Sequence, residues 1–207
     1  MTRAGGRLRV GVLVSGRGSN LQALLDASSR PDYPAEVVVV IADREHAPAL
    51  ERARAAGVEA LFVNPKDFAD REAFDLALVR ELTARRVGLV CTAGFMRILS
   101  PAYLRAFAGR TINVHPSILP AFPGLHAQRQ ALEHGVKIAG ATVHFVHDGP
   151  VDTGPIVLQA SVAVHPDDTE ESLSARILVE EHRLYPEAVR LFAEGRLAIV
   201  GRRVTIR

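Results

Sequence analysis

Cysteine and lysine are nearly absent from this chain of 207 residues: Cys91 is the one thiol, and Lys66 and Lys137 are the only lysines. A lone cysteine closes no internal disulfide, and its apolar setting, "VGLVCTAG", reads as a buried, reduced side chain of a cytoplasmic protein. With so little lysine, the pI near 9.0 rests on arginine, while the formal net charge is only +2. Basic residues are scattered apart from short clusters at the two ends, which argues against a polyanion surface and so against a nucleic-acid partner. The N-terminus lacks a long apolar run. Residues 10–14 are too few for a signal-peptide core or a membrane span, so a soluble, cytoplasmic chain with no membrane partner is expected. No HExxH occurs, and His144 and His147 stand three apart on an expected strand, facing opposite sides; no metal site is expected. Nor is there a linker, repeat or low-complexity segment.

What is present is an alternation of two hydrophobic periods. "LRVGVLVSG" is a β-rich run ending in glycine, and "SNLQALLDAS" places Leu21, Leu24 and Leu25 at helical spacing. The pattern repeats with "AEVVVVIAD" and then "APALERARAAG", closed by Gly57. "EALFV" precedes a helix over residues 70–86 with Ala73, Phe74, Ala77, Leu78 and Leu82 on one face. "VGLVCTA" precedes a short helix with Ser100 as N-cap and Pro101 at its first position, and "RTINVH" is a fifth strand. That order predicts an α/β, Rossmann-like doubly wound, mostly parallel sheet.

After Gly135 the order changes. "KIAGATVHFVH" and "GPIVLQASVAV" are long β runs joined through "DGPVDT", with no room for a crossover helix, hence an antiparallel pair in the C-terminal half. A helix from near Thr169 is expected to kink or restart at Pro186 and to end at Gly195, before a short hairpin around Gly201. The length suits a single domain over residues 1–207, with two halves at about 1–110 and about 111–207.

"SGRGSN", residues 15–20, joins the first strand to the first helix. Its glycines let the backbone approach an anion and the helix amides point toward it, making the turn a candidate phosphate cradle. A dinucleotide fingerprint needs glycine where Leu21 stands, and the lysine of a P-loop is missing; a merely tight βα turn stays open as the alternative. Asn113 and His115 end the fifth strand with both side chains on one side, at the carboxyl edge where open α/β sheets place their sites. An Asn amide donates to a developing oxyanion, and a nearby His holds or transfers a proton. Polar capping of a strand end before the loop "NVHPSILPAFPGLH" is the competing reading.

Asp148 and Asp152, in "HDGPVDTGP", are turn residues by type, yet a carboxylate beside a His can raise its pKa and order a proton-shuttling water. With no activated Ser or Cys, the pattern suits attack by a substrate's own amine on an acyl carbon. "AGFMRILSP" reads either as a helix start packed on the core or as an apolar slot for a flat ring, formed by Phe95, Met96, Ile98 and Leu99.

These motifs resemble the glycinamide ribonucleotide formyltransferase (phosphoribosylglycinamide formyltransferase) family, folate-dependent enzymes of purine biosynthesis. The likeness runs through "SGRGSNLQALLDA", "LERARAAG", "DREAFD", "AGFMRILSP", "NVHPSILPAFPGLHAQRQAL", "TVHFV", "VDTGPIVLQA" and "EEHRLYP". It implies a formyltransferase fold and transfer of the formyl group of 10-formyltetrahydrofolate, a cosubstrate, to the amine of glycinamide ribonucleotide. By the same resemblance, Asn113, His115 and Asp152 match a catalytic trio, and Gly18, Ser19, Asn20 and Glu181 match ribonucleotide contacts. Arg71, Met96, Arg97, Ile98, Leu99, Asn113, His147, Asp148, Val151 and Asp152 match folate contacts. The first half then holds the nucleotide phosphate, and the second completes the folate pocket and the catalytic group.

The chain departs from the family pattern at three places. Leu178 stands where relatives can carry a polar substrate contact, "HDGPVD" is one residue longer than in some of them, and "VIADREHAPALE" replaces the usual "SN" start of its loop. The mechanism expected is direct transfer in a ternary complex. Asn113 and a protonated His115 stabilise the oxyanion, Asp152 keeps His115 charged and relays protons, and His126 supports the loop without doing chemistry. A monomer or homodimer is expected. Rival readings are a formyl-tetrahydrofolate hydrolase and a non-catalytic nucleotide-binding module. Methionyl-tRNA formylation is disfavoured, because no appended basic domain follows the hairpin.

Overall fold

In the computed structural model, which describes residues 6–207, the run LRVGVLV forms strand β1 (Leu8–Val14). Val10, Val12 and Val14 join one core cluster and Leu13 the other. A strand apolar on both sides belongs inside a sheet that helices cover twice. The first five residues, part of the N-terminal segment weighed against a signal peptide, lie outside the described residues.

Strands β2 (Ala35–Ala42), β3 (Glu59–Phe62), β4 (Leu89–Thr92) and β5 (Thr111–His115) extend the sheet in parallel. Strands β6 (Ile138–Phe145) and β7 (Ile156–Ala163) join antiparallel, and β8 (Leu197–Val200) and β9 (Arg203–Ile206) form the terminal hairpin. The nine-stranded sheet runs β3-β2-β1-β4-β5-β6-β7-β9-β8, the mostly parallel sheet with antiparallel strands toward its C-terminal side that the alternation predicts. Helices α1 (Ser19–Ser28), α2 (Pro48–Ala55) and α6 (Glu170–Ala193) pack on one face. Helices α3 (Arg71–Ala84) and α4 (Pro101–Ala106) cover the other, and α5 (Ala127–Glu133) follows the proline-rich loop. Among the described residues, no helix is long and apolar enough to cross a membrane.

Helix α6 corrects the expected restart: it runs without a break through Pro186. An interior proline costs about 3 kcal/mol through its missing N–H and its ring. Leu184, Tyr185, Ala188 and Val189, on both sides of it, are all buried against the sheet. Each large apolar side chain so buried contributes about 1.5–3 kcal/mol, enough together to hold the helix across the proline. Tyr33 Oη also donates to the Pro186 carbonyl at 2.7 Å.

From β1 the chain winds outward to β2 and β3, then returns to β4 on the other side of β1. The carboxyl ends of β1 and β4 therefore flank the switch point, where loops diverge and open a crevice. The turn after β1 and the loop after β4 are tied together there. Ser15 N donates to the Gly94 carbonyl at 3.1 Å, and Met96 N donates to Ser15 Oγ at 2.9 Å.

Candidate active site

The turn after β1 is shaped by one glycine. Gly18 has φ +74, and a Cβ there would lie 2.7 Å from Ala49 Cβ. Both the left-handed backbone and the approach of α2 exclude a side chain. Gly18 is the N-cap of α1 with no side-chain cap, and the first turn of α1 carries no acidic residue of its own, so its leading amides have no acidic partner within the turn. Arg52 braces the turn from α2, its Nε donating to the Arg17 carbonyl at 2.9 Å. Asn20 Nδ2 donates to Glu181 Oε2 at 2.7 Å, joining residues 161 apart in sequence. Burial raises the Glu181 carboxyl to about 7, with Asn20 alone opposing it. Gly18, Ser19, Asn20 and Glu181 are thus brought to one place.

The second cluster forms where β5 ends. Its centre is Asp152, held at φ +59 in the loop between β6 and β7. Gly124 N donates to Asp152 Oδ2 at 2.8 Å, and His115 Nδ1 lies 3.2 Å from the same oxygen. Asp152 Oδ1 lies 3.5 Å from Asn113 Nδ2 and 3.5 Å from His144 Nε2. Burial would raise the Asp152 carboxyl, but His144, the Gly124 amide and His115 together hold it below its ordinary value. Phe122 and His126 also have positive φ, so three strained non-glycine residues lie in the two loops that meet here. Such strain persists where the surroundings over-determine the backbone.

His115 is held from both sides. Its Nε2 is 2.8 Å from the Phe122 carbonyl and its Nδ1 faces Asp152, so both ring nitrogens are engaged within the protein. Burial pushes the imidazole below its ordinary pKa, outweighing the Phe122 carbonyl and Asp152, which favour the charged form. Both nitrogens face acceptors, an arrangement the doubly protonated ring satisfies in full, while burial opposes the charge. His126 caps α5 through its left-handed backbone, its side chain exposed and making no cap bond.

The folate-type residues divide into two groups. Met96 and Ile98 are exposed and Leu99 is buried, in a loop before α4 rather than a helix start. The Arg97 guanidinium lies over the Phe74 ring at 5.1 Å and 3.8 Å from Asp43. Arg71, the first residue of α3, and Arg97 both act on the buried Asp75 carboxyl, which burial raises and the Ser100 amide opposes. In the other group, Val151 and Asp148 are exposed, and His147 Nε2 turns to Thr153 Oγ1 at 2.9 Å, away from the Asn113, His115 and Asp152 cluster.

His144 and Thr92 are the members that the sequence reading did not include. His144 entered it only as a discarded metal ligand, although antiparallel pairing sets it opposite Asn113. The signal was the register of β5 against β6, and no periodicity within one strand shows a register. An Asn–His–Asp cluster beside an anion-type turn, without a nucleophilic side chain, defines a group-transfer site in which the substrate supplies the nucleophile.

The chain matches the Formyl transferase family over residues 8–189. It is 49% identical to the phosphoribosylglycinamide formyltransferase of Mycobacterium tuberculosis H37Rv, over 96% of this chain and 94% of that protein. It is 51% identical, over 91% of its length, to the trifunctional purine biosynthetic protein adenosine-3 of Drosophila melanogaster, of which it spans only 14%. The crystal structure of glycinamide ribonucleotide transformylase 1 from Symbiobacterium toebii superposes with a TM-score of 0.96 at 59% identity, covering 100% of this chain and 97% of that one. The chain belongs to the formyl transferase family, and its sheet is the formyltransferase fold.

Proposed function

We propose that this chain transfers the formyl group of 10-formyltetrahydrofolate to the amine of glycinamide ribonucleotide, yielding N-formylglycinamide ribonucleotide and tetrahydrofolate in purine biosynthesis. The observation that carries it is Asp152 meeting Asn113, His115 and His144 within 3.5 Å, at the carboxyl edge of the sheet that also holds the Gly18 turn.

The ribonucleotide phosphate rests on the amides of Gly18, Ser19 and Asn20, with Glu181 contacting the nucleotide. The folate ring enters beside Met96, Arg97, Ile98 and Leu99, with Arg71, His147, Asp148 and Val151 at the rim. The substrate amine attacks the formyl carbon as the C–N10 bond breaks, and one proton moves from the amine to N10. Asn113 Nδ2–H donates to the developing oxyanion. Protonated His115, held between the Phe122 carbonyl and Asp152, places positive charge beside the oxyanion, and Asp152 relays the amine's proton through water to N10. Residues 1–110 then serve the nucleotide, and residues 111–207 the folate and the chemistry. A cytoplasmic monomer or homodimer fits the buried, reduced Cys91 thiol, pushed up to about 12 by burial.

The test follows the folate absorbance of 10-formyltetrahydrofolate with and without glycinamide ribonucleotide. Change only in the presence of the ribonucleotide is the expected result. Change in both cuvettes would make the chain a hydrolase, and change in neither a binding module.

A further inference from the structure

Thr92, Asn113 and His144 are direct neighbours across three strands: β4 pairs Thr92 with Asn113, and β6 pairs His144 with the same residue. Their side chains form one hydrogen-bonded row. Thr92 Oγ1 donates to Asn113 Oδ1 at 2.8 Å, and Asn113 Nδ2 faces His144 Nε2 at 3.3 Å. The Phe145 carbonyl, 3.0 Å from His144 Nδ1, holds the ring in place beside Asn113. At the other end Tyr185 Oη donates to the carbonyls of Thr92 and Ile112, at 3.1 and 2.9 Å, fixing both strand ends beside Asn113. Thr92 and His144 are buried.

We infer that Thr92 is a positioning residue for formyl transfer, holding and polarising the Asn113 amide so that Nδ2 and not Oδ1 lies on the side of Asp152 and His144, where an N–H can turn to the developing oxyanion. The inference rests on the functional reading above. A flipped amide would turn Oδ1 toward the Asp152 carboxylate and the His144 ring, and repulsion by the carboxylate selects the orientation seen. Thr92 supplies the donor for Oδ1. Donation to that oxygen draws electron density from the nitrogen and strengthens the N–H donors on the substrate side. The β-branched side chain has few χ1 choices, so the hydroxyl stays where the strand puts it. Without it, Oδ1 is a half-buried acceptor whose one side-chain donor has gone, and the amide rotates in search of another.

The experiment compares Thr92→Val, which keeps the shape and removes the hydroxyl, with Thr92→Ser, which keeps the hydroxyl. Thr92→Ala stands in for valine if that variant does not fold. Two quantities are read: steady-state kinetics for both substrates, and the side-chain amide signals of Asn113 in ¹⁵N spectra. Thr92→Val is expected to lower kcat about 10-fold, short of the loss from removing an oxyanion donor outright, with both KM values unchanged. Its Asn113 amide signals shift and broaden, and Thr92→Ser restores both rate and spectrum. A wild-type kcat in the folded hydroxyl-free variant, a serine variant as slow as valine, or unmoved Asn113 signals would overturn the assignment. Should the unmodified protein transfer no formyl group, the functional reading falls, and the spectra alone decide whether Thr92 holds Asn113.

Discussion

Two buried carboxylates, Asp152 and Glu181, sit at opposite ends of the candidate site and are driven in opposite directions. Asp152 is held below the ordinary carboxylate range and Glu181 is raised to about 7. Burial pushes both upward, so burial does not separate them. The difference lies in their neighbours. Asp152 receives the Gly124 amide and lies against His115 and His144, whereas Glu181 receives Asn20 alone. Neighbours, not depth, thus decide which of the two carboxyls holds its proton more tightly.

The largest effect expected from breaking this contrast is on turnover. Asp152→Asn keeps the shape and removes the charge, and Asn113→Ala removes the donor beside it. Each is expected to lose at least about 100-fold in kcat while still folding, within the range for an acid–base relay or an oxyanion donor. Near-normal turnover in either folded variant would sink the assignment.

Glu181 tests the other side of the contrast through stability. Its carboxyl pKa is raised from 4.5 to about 7, so between those values the folded chain binds more protons than the unfolded chain. Stability therefore falls as pH rises through that window, and the full loss is present above it. Asp152 has the opposite sign, contributing stability above the ordinary carboxylate pKa that is lost on acidification through its depressed value. Glu181→Gln removes the first effect. Denaturant titration at pH 8 is expected to show the variant more stable by up to roughly 3 kcal/mol, with the gap closing by pH 4.5. The ribonucleotide KM of the variant should rise while kcat stays near normal. A gap that does not vary with pH would remove the contrast.

A smaller effect is expected where the nucleotide end depends on backbone shape. Gly18→Ala puts a Cβ against Ala49 and forces alanine into a left-handed conformation costing about 1–2 kcal/mol. The ribonucleotide KM should rise about 10-fold, that being the factor for each 1.4 kcal/mol, with the folate KM unchanged. Adding Ala49→Gly relieves the clash but not the strain, so the double variant is expected to recover only in part. Full recovery in kinetics and Tm would show packing alone to be at stake.

The alternation of strand and helix periods was legible because each element carries its burial in its own residues, as β1 does with apolar side chains on both faces. Asn113 and His115 stood out for the same local reason, two residues apart on one strand end. Asp152 became a partner through a loop closure that brings its carboxylate to the Gly124 amide, and no local pattern announces that contact. His144 and Thr92 were invisible because register between strands belongs to the whole sheet. The proton on His115 is set by opposing effects that no local pattern shows, two facing acceptors that favour it and burial that disfavours it. Pro186 misled, since a local rule yielded to the apolar face on both sides of it.

The smallest expected effect concerns His126. It lies in the same proline-rich loop as His115, and residue type alone does not separate the two. Their surroundings do. His115 is buried and bonded at both ring nitrogens, whereas His126 is exposed, and only its left-handed backbone serves to start α5. His126→Ala keeps that backbone at the cost of alanine's weaker tolerance for positive φ, about 1 kcal/mol, and His126→Gly relieves it. The expected outcome is a small drop in Tm for alanine, a recovery for glycine, and kcat near normal in both. A well-folded His126→Ala enzyme as slow as His115→Ala, with normal KM values, would move the proton chemistry from the strand end into the loop. The contrast between Asp152 and Glu181 would then have to be redrawn around a different histidine.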